Sequence, residues 1–299
     1  MSADLNVEDL HKSFASGRPA TMDIEHLRTW IGRREIVDDE IPSFPMLALA
    51  ATLDLEHASA RSDALPPLWH WIYFLSVHRQ SEIAEDGHAK RGGFVPPVPL
   101  PRRMFAGARI EFHRPLRLGH PATRTSTIED LVFKQGRSGQ LAFLKIRVDI
   151  SDDAGIVLTE HQDIVYREAP KPGEAAPGKP ERRAADWRET VSPTGSLLFR
   201  YSSLIFNAHR IHLDRDYAIG HEGYGGLVVH GQLVATMLAE LARKHIHGPM
   251  IGFRFRAVRP VLDDGPFMIC GTRSDKVVNL WAENSSGLVA MEAVASYAT

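Results

Sequence analysis

Two stretches of the sequence repeat one pattern at half the chain's length, and this restricts the fold more than any other feature. ARIEFHRPLRLGHPA in the first half and FRFRAVRPVLDDGPF in the second each run as an alternating strand, then Arg-Pro and an apolar residue, then a turn with glycine and proline. Arg114 and Arg259 are 145 positions apart (259 − 114), and Gly119 and Gly265 are 146 apart (265 − 119). In a chain of 299 residues that period points to duplication of one domain.

The stretch REAPKPGEAAPGKPERRAAD separates the copies. Its four prolines and two glycines cannot propagate a helix or a sheet ladder. The expected organisation is a first domain over 1–166, a linker over 167–186 and a second domain over 187–299. After each signature come strands joined by glycine-containing turns, which read as an antiparallel meander. Ahead of each stands an apolar segment expected to be helical. In GQLVATMLAELARKH, Leu233, Val234, Met237, Leu238 and Leu241 form one stripe; in LPPLWHWIYFLSVHR, Leu68, Trp71, Ile72 and Leu75 face one way. One long helix with an antiparallel sheet wrapped round it is an α+β hotdog, and two copies make a double hotdog, a pseudo-dimer within one chain. A homodimer of such pairs stays open.

Several function classes are disfavoured by composition. A formal charge of −2 with both signs mixed gives no reason to expect nucleic acid or an acidic membrane surface. No stretch approaches the ~20 apolar residues of a membrane span, and the N-terminus lacks a signal-peptide pattern, so a cytoplasmic protein is expected. The single cysteine, Cys270, lies in an apolar run and is expected to be a buried structural thiol.

Chemistry concentrates in RYSSLIFNAHRIHLDRDYA, where Asn207, His209 and His212 fall within six positions. No cysteine or well-spaced third histidine completes a metal site with His209 and His212, so neither a metal nor a cofactor is expected. Ser202 and Ser203 lack the glycine frame of a hydrolase elbow. General acid-base chemistry by a histidine remains, with a neutral amide holding water or substrate. Downstream, Gly231 opens the second apolar helix in VVHGQLVATML; its N–H is either part of an ordinary N-cap or an oxyanion site at the positive end of the helix.

The stretch from Phe199 to Gln232 resembles the MaoC-like hydratase/dehydratase family, nearest the branch that holds hydroxyacyl-thioester dehydratase type 2 and the hydratases of mesaconyl-C4-CoA and itaconyl-CoA. In that family's usual motif, Asp-x-Asn-Pro-Leu-His-x-Asp, His212 and Asp214 match the His-x-Asp end, Asn207 falls at the catalytic Asp and His209 at the Asn. LPPLWHWIYFL and RGGFVPPVPLPRRM add a likeness to the first domain of the mesaconyl-CoA type. The resemblance implies reversible hydration of an α,β-unsaturated acyl-CoA by a hydro-lyase. His212 would transfer the proton, Asn207 would orient the water through its carbonyl oxygen, and Gly231 N–H would polarise the thioester carbonyl. His209, Val229 and His230 are assigned to substrate binding. The first domain shapes the acyl pocket and has no catalytic motif of its own. For a short branched diacid, Arg102 and Arg103 are the expected partners of the free carboxylate, and Arg259 is a candidate for CoA phosphates. The alternatives are a 3-hydroxyacyl-thioester dehydratase of fatty-acid synthesis and a non-catalytic acyl-CoA binding protein.

Overall fold

The Arg-Pro signature folds the same way in both halves of the computed structural model, which describes residues 22–55, 63–136, 139–168 and 183–298. In the first half the N–H groups of His113 and Arg114 both reach the carbonyl of Val157, and the Arg114 guanidinium donates to Gly155 O. In the second, the N–H groups of Val258 and Arg259 both reach Ala290 O, and the Arg259 guanidinium donates to Val289 O. Gly155 and Val289 each begin the last strand of their half. The repeat is therefore a structural clamp.

The first half runs α1 (Ile24–Arg28), β1 (Arg34–Asp39), α2 (Ser43–Thr52), β2 (Arg102–Phe112), β3 (Ala122–Gly136), β4 (Gly139–Asp152) and β5 (Gly155–Arg167). The second runs β6 (Trp187–Val191), α3 (Gly195–Leu204), α4 (Arg215–Gly220), α5 (Gly231–His245), β7 (Met250–Ala257), β8 (Phe267–Ser274), β9 (Val277–Glu283) and β10 (Val289–Tyr297). All ten strands form one antiparallel sheet in the order β1-β3-β4-β5-β2-β7-β10-β9-β8-β6. Read outward from the β2–β7 junction, both halves have the same order. At that junction Arg109 pairs with Arg254, and these two are also 145 positions apart (254 − 109), so the pseudo-twofold axis passes between them. Close strand approach there uses Gly107, whose Cβ would lie 2.4 Å from Phe255 O.

The helix expected over 231–245 is α5, bounded by the same residues. It lies against β8, β9 and β10 with Leu233, Leu238 and Leu241 fully buried, each stabilising by about 1.5–3 kcal/mol over exposure. The helix expected over 65–79 does not form. Only Trp69–Ile72 makes a 3₁₀ turn, and Leu68 and Phe74 take left-handed backbone with φ of 70° and 53°. All residues from 68 to 74 are buried, with no polar face turned to solvent. Their polar atoms are held by other elements instead. Trp69 Nε1 donates to Glu240, Trp71 Nε1 to Glu160, and Tyr73 OH to Pro42 O. Only the second half has a long central helix among the described residues.

Residues 169–182 of the expected linker lie outside the described residues; its end is docked, because Asp186 accepts from Thr272 Oγ1 and Arg273 N. Cys270 is fully buried, and burial pushes its thiol up to about 11. Among the described residues no helix is long and apolar enough to cross a membrane.

Candidate active site

The segment from Asn207 to Asp214, where catalysis is expected, is built on the end of α3. Thr194 caps that helix by accepting from Leu197 N, and Asn207 N–H closes back on Ser202 O. Asn207 Oδ1 accepts the N–H of His209 at 2.9 Å, an Asx turn that leads into the 3₁₀ turn Arg210–His212. Asp214 then caps α4 by accepting from Tyr217 N, and it also pairs with Arg210. The polarity of this stretch is thus mostly turn chemistry, with the imidazoles presented at its centre.

His212 is buried, and its Nδ1–H donates to Val228 O at 2.6 Å. That bond fixes the tautomer and leaves Nε2 bare. Burial lowers its pKa to about 4, against the opposing bond to Val228 O and with help from the charge of His88. His212 is a neutral base at physiological pH. His230 stacks on it with ring centroids 3.7 Å apart, bonds Ser202 Oγ through Nε2 at 2.8 Å, and is held well below the usual imidazole range by burial and by the neighbouring imidazoles His212 and His209. His209 lies edge-on to His212 at 5.4 Å and is likewise driven down, first by burial.

His230 precedes α5 without capping it by its side chain, which leaves the Gly231 N–H free of an intrahelical or cap acceptor. A Cβ on Gly231 would meet nothing nearer than Met291 Cε at 3.9 Å, so glycine is not demanded by protein packing. Val229, the third residue of this segment assigned to substrate, is buried and gives its own N–H to Val261 O.

Sequence reasoning missed two residues of the cluster. A loop of the first half brings Asp86 and His88 onto the catalytic turn. His88 Nδ1–H donates to Asp86 Oδ2 at 3.1 Å, and its ring lies 3.9 Å from that of His209. Arg210 fastens the loop, its N–H to Asp86 O and its guanidinium to Glu85 O. Gly87 makes the contact possible: with φ of 89°, any Cβ there would lie 1.9 Å from Ala208 O. Asp-Gly-His was the available signal, but only the long-range contact gives it meaning. Asp86, His88 and His209 place one ligand atom each within 4.8 Å of one another, a set able to hold a metal; the Asp86–His88 bond and the positive field of Arg103 favour a hydrogen-bonded cluster.

A cleft of about 610 Å³ reaches this cluster, walled by Trp71, Phe74, His88 and Arg103 of the first half and by Ser202, Asn207 and Leu213 of the second. Strand alternation separates the two arginines at the start of β2. Arg103 faces the cleft and forms no ion pair among the described residues. Arg102 turns away into the protein, where it pairs with Glu222 at 3.0 Å and stacks over Tyr224, so it does not serve the cleft. Arg259 is also corrected: its clamp on Val289 O and its buried Nε give it a structural role rather than a CoA phosphate to bind.

A bare imidazole and a helix N-terminus on an α+β double hotdog form a site able to do general-base chemistry on a thioester. The sequence profile of the hydroxyacyl-thioester dehydratase type 2 family matches residues 68–263, and the chain belongs to that family. It is 49% identical, over 88% of its own length and 95% of the relative's, to mesaconyl-C(4)-CoA hydratase of Chloroflexus aurantiacus. It is 26% identical to the mitochondrial hydroxyacyl-thioester dehydratase type 2 of Schizosaccharomyces pombe, over 75% of this chain and 82% of that one. Among solved structures, HtdX of Mycobacterium tuberculosis superposes with a TM-score of 0.66 at 18% identity, covering 89% of this chain and all of that one. Another protein of that organism, described as a double hotdog, superposes at 0.53 with 13% identity, covering 89% of this chain and 96% of that one. The expected fold and family are borne out.

Proposed function

We propose that this enzyme hydrates mesaconyl-C4-CoA or itaconyl-CoA to citramalyl-CoA, with the first half forming the acyl pocket and the second supplying the base. Hydration of an unsaturated acyl-CoA follows from the family. The choice of a short branched diacid rests on one observation, that Arg103, which has no carboxylate partner among the described residues, stands in the cleft wall close enough to His88 and His209 to depress both. In mesaconyl-C4-CoA the free carboxylate is bonded to the β carbon that receives water. Its cation must therefore stand at the imidazole cluster, as Arg103 does.

In the proposed reaction of mesaconyl-C4-CoA, whose double bond is conjugated to the thioester, His212 Nε2 takes a proton from water as the oxygen bonds to the β carbon. The double-bond electrons shift onto the thioester oxygen, which Gly231 N–H and the helix end stabilise. The resulting imidazolium returns the proton to the α carbon. No net charge is left, and reversal gives dehydration. The apolar wall of Trp71, Phe94, Phe199 and Phe206 favours a second reading, a 3-hydroxyacyl-thioester dehydratase with a longer chain. Loss of enoyl-thioester absorbance with mesaconyl-C4-CoA, crotonyl-CoA and a long-chain enoyl-CoA, and chromatographic detection of citramalyl-CoA formed from itaconyl-CoA, separate them. Preference for the long chain over both diacids would reject the diacid reading.

A further inference from the structure

Resting on the hydratase reading, we propose that His88, delivered by the first half and oriented by Asp86, is a second catalytic residue, whose Nε2 accepts the hydrogen bond of the attacking water's other O–H. A water attacking a β carbon needs two acceptors: one takes the proton, the other aims the oxygen lone pair. His212 is the first. The amide oxygen of Asn207 is one candidate for the second, with one of its two lone pairs already taken by the His209 N–H. His88 lines the cleft, and its Nδ1–H is committed to Asp86, which leaves Nε2 as a bare acceptor. Asp86 supplies the carboxylate that the family motif has at the position of Asn207, now one imidazole removed. It accepts twice from His88, at Oδ1 from the backbone N–H and at Oδ2 from the ring. Burial would raise the Asp86 carboxyl, but the hydrogen bonds it accepts from His88 outweigh this and hold it low, so it stays ionised. No proton leaves His88 in this scheme, so the stoichiometry of the hydration is unchanged.

Asp86 is then a positioning residue with a specific signature. In Asp86→Asn the amide oxygen stays on the His88 backbone N–H, so the NH₂ group faces Nδ1. The ring must switch tautomer, and Nε2 becomes a donor. The test combines kcat and KM on the enoyl-CoAs with the tautomer of His88, read by long-range ¹H–¹⁵N correlation in the free protein. Asp86→Asn and His88→Ala should each lower kcat about 100-fold with KM within about threefold, and His88→Gln, whose Oε1 is an acceptor, should recover at least about tenfold over His88→Ala. Wild type should carry its His88 proton on Nδ1 and Asp86→Asn on Nε2. His88→Ala or His88→Gln retaining more than about a third of kcat in the first case, or failing to exceed alanine in the second, overturns the role. So does an Nε2 proton in wild type, a reading that needs no substrate. A wild type inert on every enoyl-CoA overturns the hydratase reading itself, and the water-holding role falls with it.

Discussion

The imidazole of His230 lies flat on that of His212, with centroids 3.7 Å apart and planes 19° from parallel. Two stacked rings at that distance cannot both be cations in a buried site, and burial, the largest influence on His212, holds it neutral. Replacing His212 by alanine should remove the base and lower kcat by at least about 10²-fold, with the thermal midpoint close to wild type. Steady-state hydration and a melting curve check this together. Retention of more than about a tenth of kcat would assign the proton transfer elsewhere.

Because the base must be unprotonated, pH dependence follows from the depressed pKa. His212 and His88 are both pushed down to about 4, first by burial. Log kcat/KM should therefore be flat between about pH 5 and 8 and fall only near and below 4, whereas a water-exposed imidazole would give a midpoint near 6.5. Stability has the same sign. Between about pH 6.5 and 4 the unfolded chain binds more protons at these histidines than the native one does, so the thermal midpoint should drop as pH falls through that window. A flat midpoint across it would show that the two rings are not held neutral.

Asn207 is tested by exchanging its amide for a carboxylate or a hydrocarbon. Asn207→Asp keeps an oxygen for the His209 N–H, so the turn should persist and activity stay within about tenfold of wild type. Asn207→Leu removes that acceptor and should cost about 1–2 kcal/mol of stability and most of the activity. Equal and complete inactivation by both would mean that the amide's N–H₂ donors face the substrate.

Some of this architecture was legible in the residues and some was not, for reasons that differ element by element. The strands after each Arg-Pro and the helix Gly231–His245 were readable because alternation and a one-sided apolar stripe report half-burial directly. The segment from Leu68 to Phe74 was not, since residues buried on all sides show no period, and carboxylates far along the chain decide its path. The placing of His212 in a polar turn and of Gly231 at the start of the long helix was readable from local motifs. Asp86 and His88 were not, because their role exists only through docking of one half on the other, at Gly87 and Ala208. Arg259 misled for a related reason: an arginine in a turn looks the same in sequence whether it meets a phosphate or the carbonyl of Val289.

The two arginines at the start of β2 make the sharpest test of substrate class, since they are adjacent in sequence and opposite in environment. Arg103 stands in the cleft without a carboxylate partner among the described residues, and a guanidinium there can grip a substrate carboxylate through two parallel hydrogen bonds. Arg103→Met should depress kcat/KM for mesaconyl-C4-CoA by about tenfold or more, while crotonyl-CoA, which shares the CoA and the double bond but lacks the carboxylate, should change by less than about threefold. Arg102→Met removes the partner of the half-buried Glu222 carboxylate. It should lower the thermal midpoint and reduce turnover of both substrates alike, by about 3 kcal/mol or more of stability if the pair behaves as buried pairs do. The Arg102 variant thus controls for loss of structure, and the ratio between substrates isolates the contact with the free carboxylate. A ratio unchanged within about threefold in Arg103→Met, under 1 kcal/mol in the rate, would remove the reason for choosing a diacid and move the longer apolar acyl chain into its place.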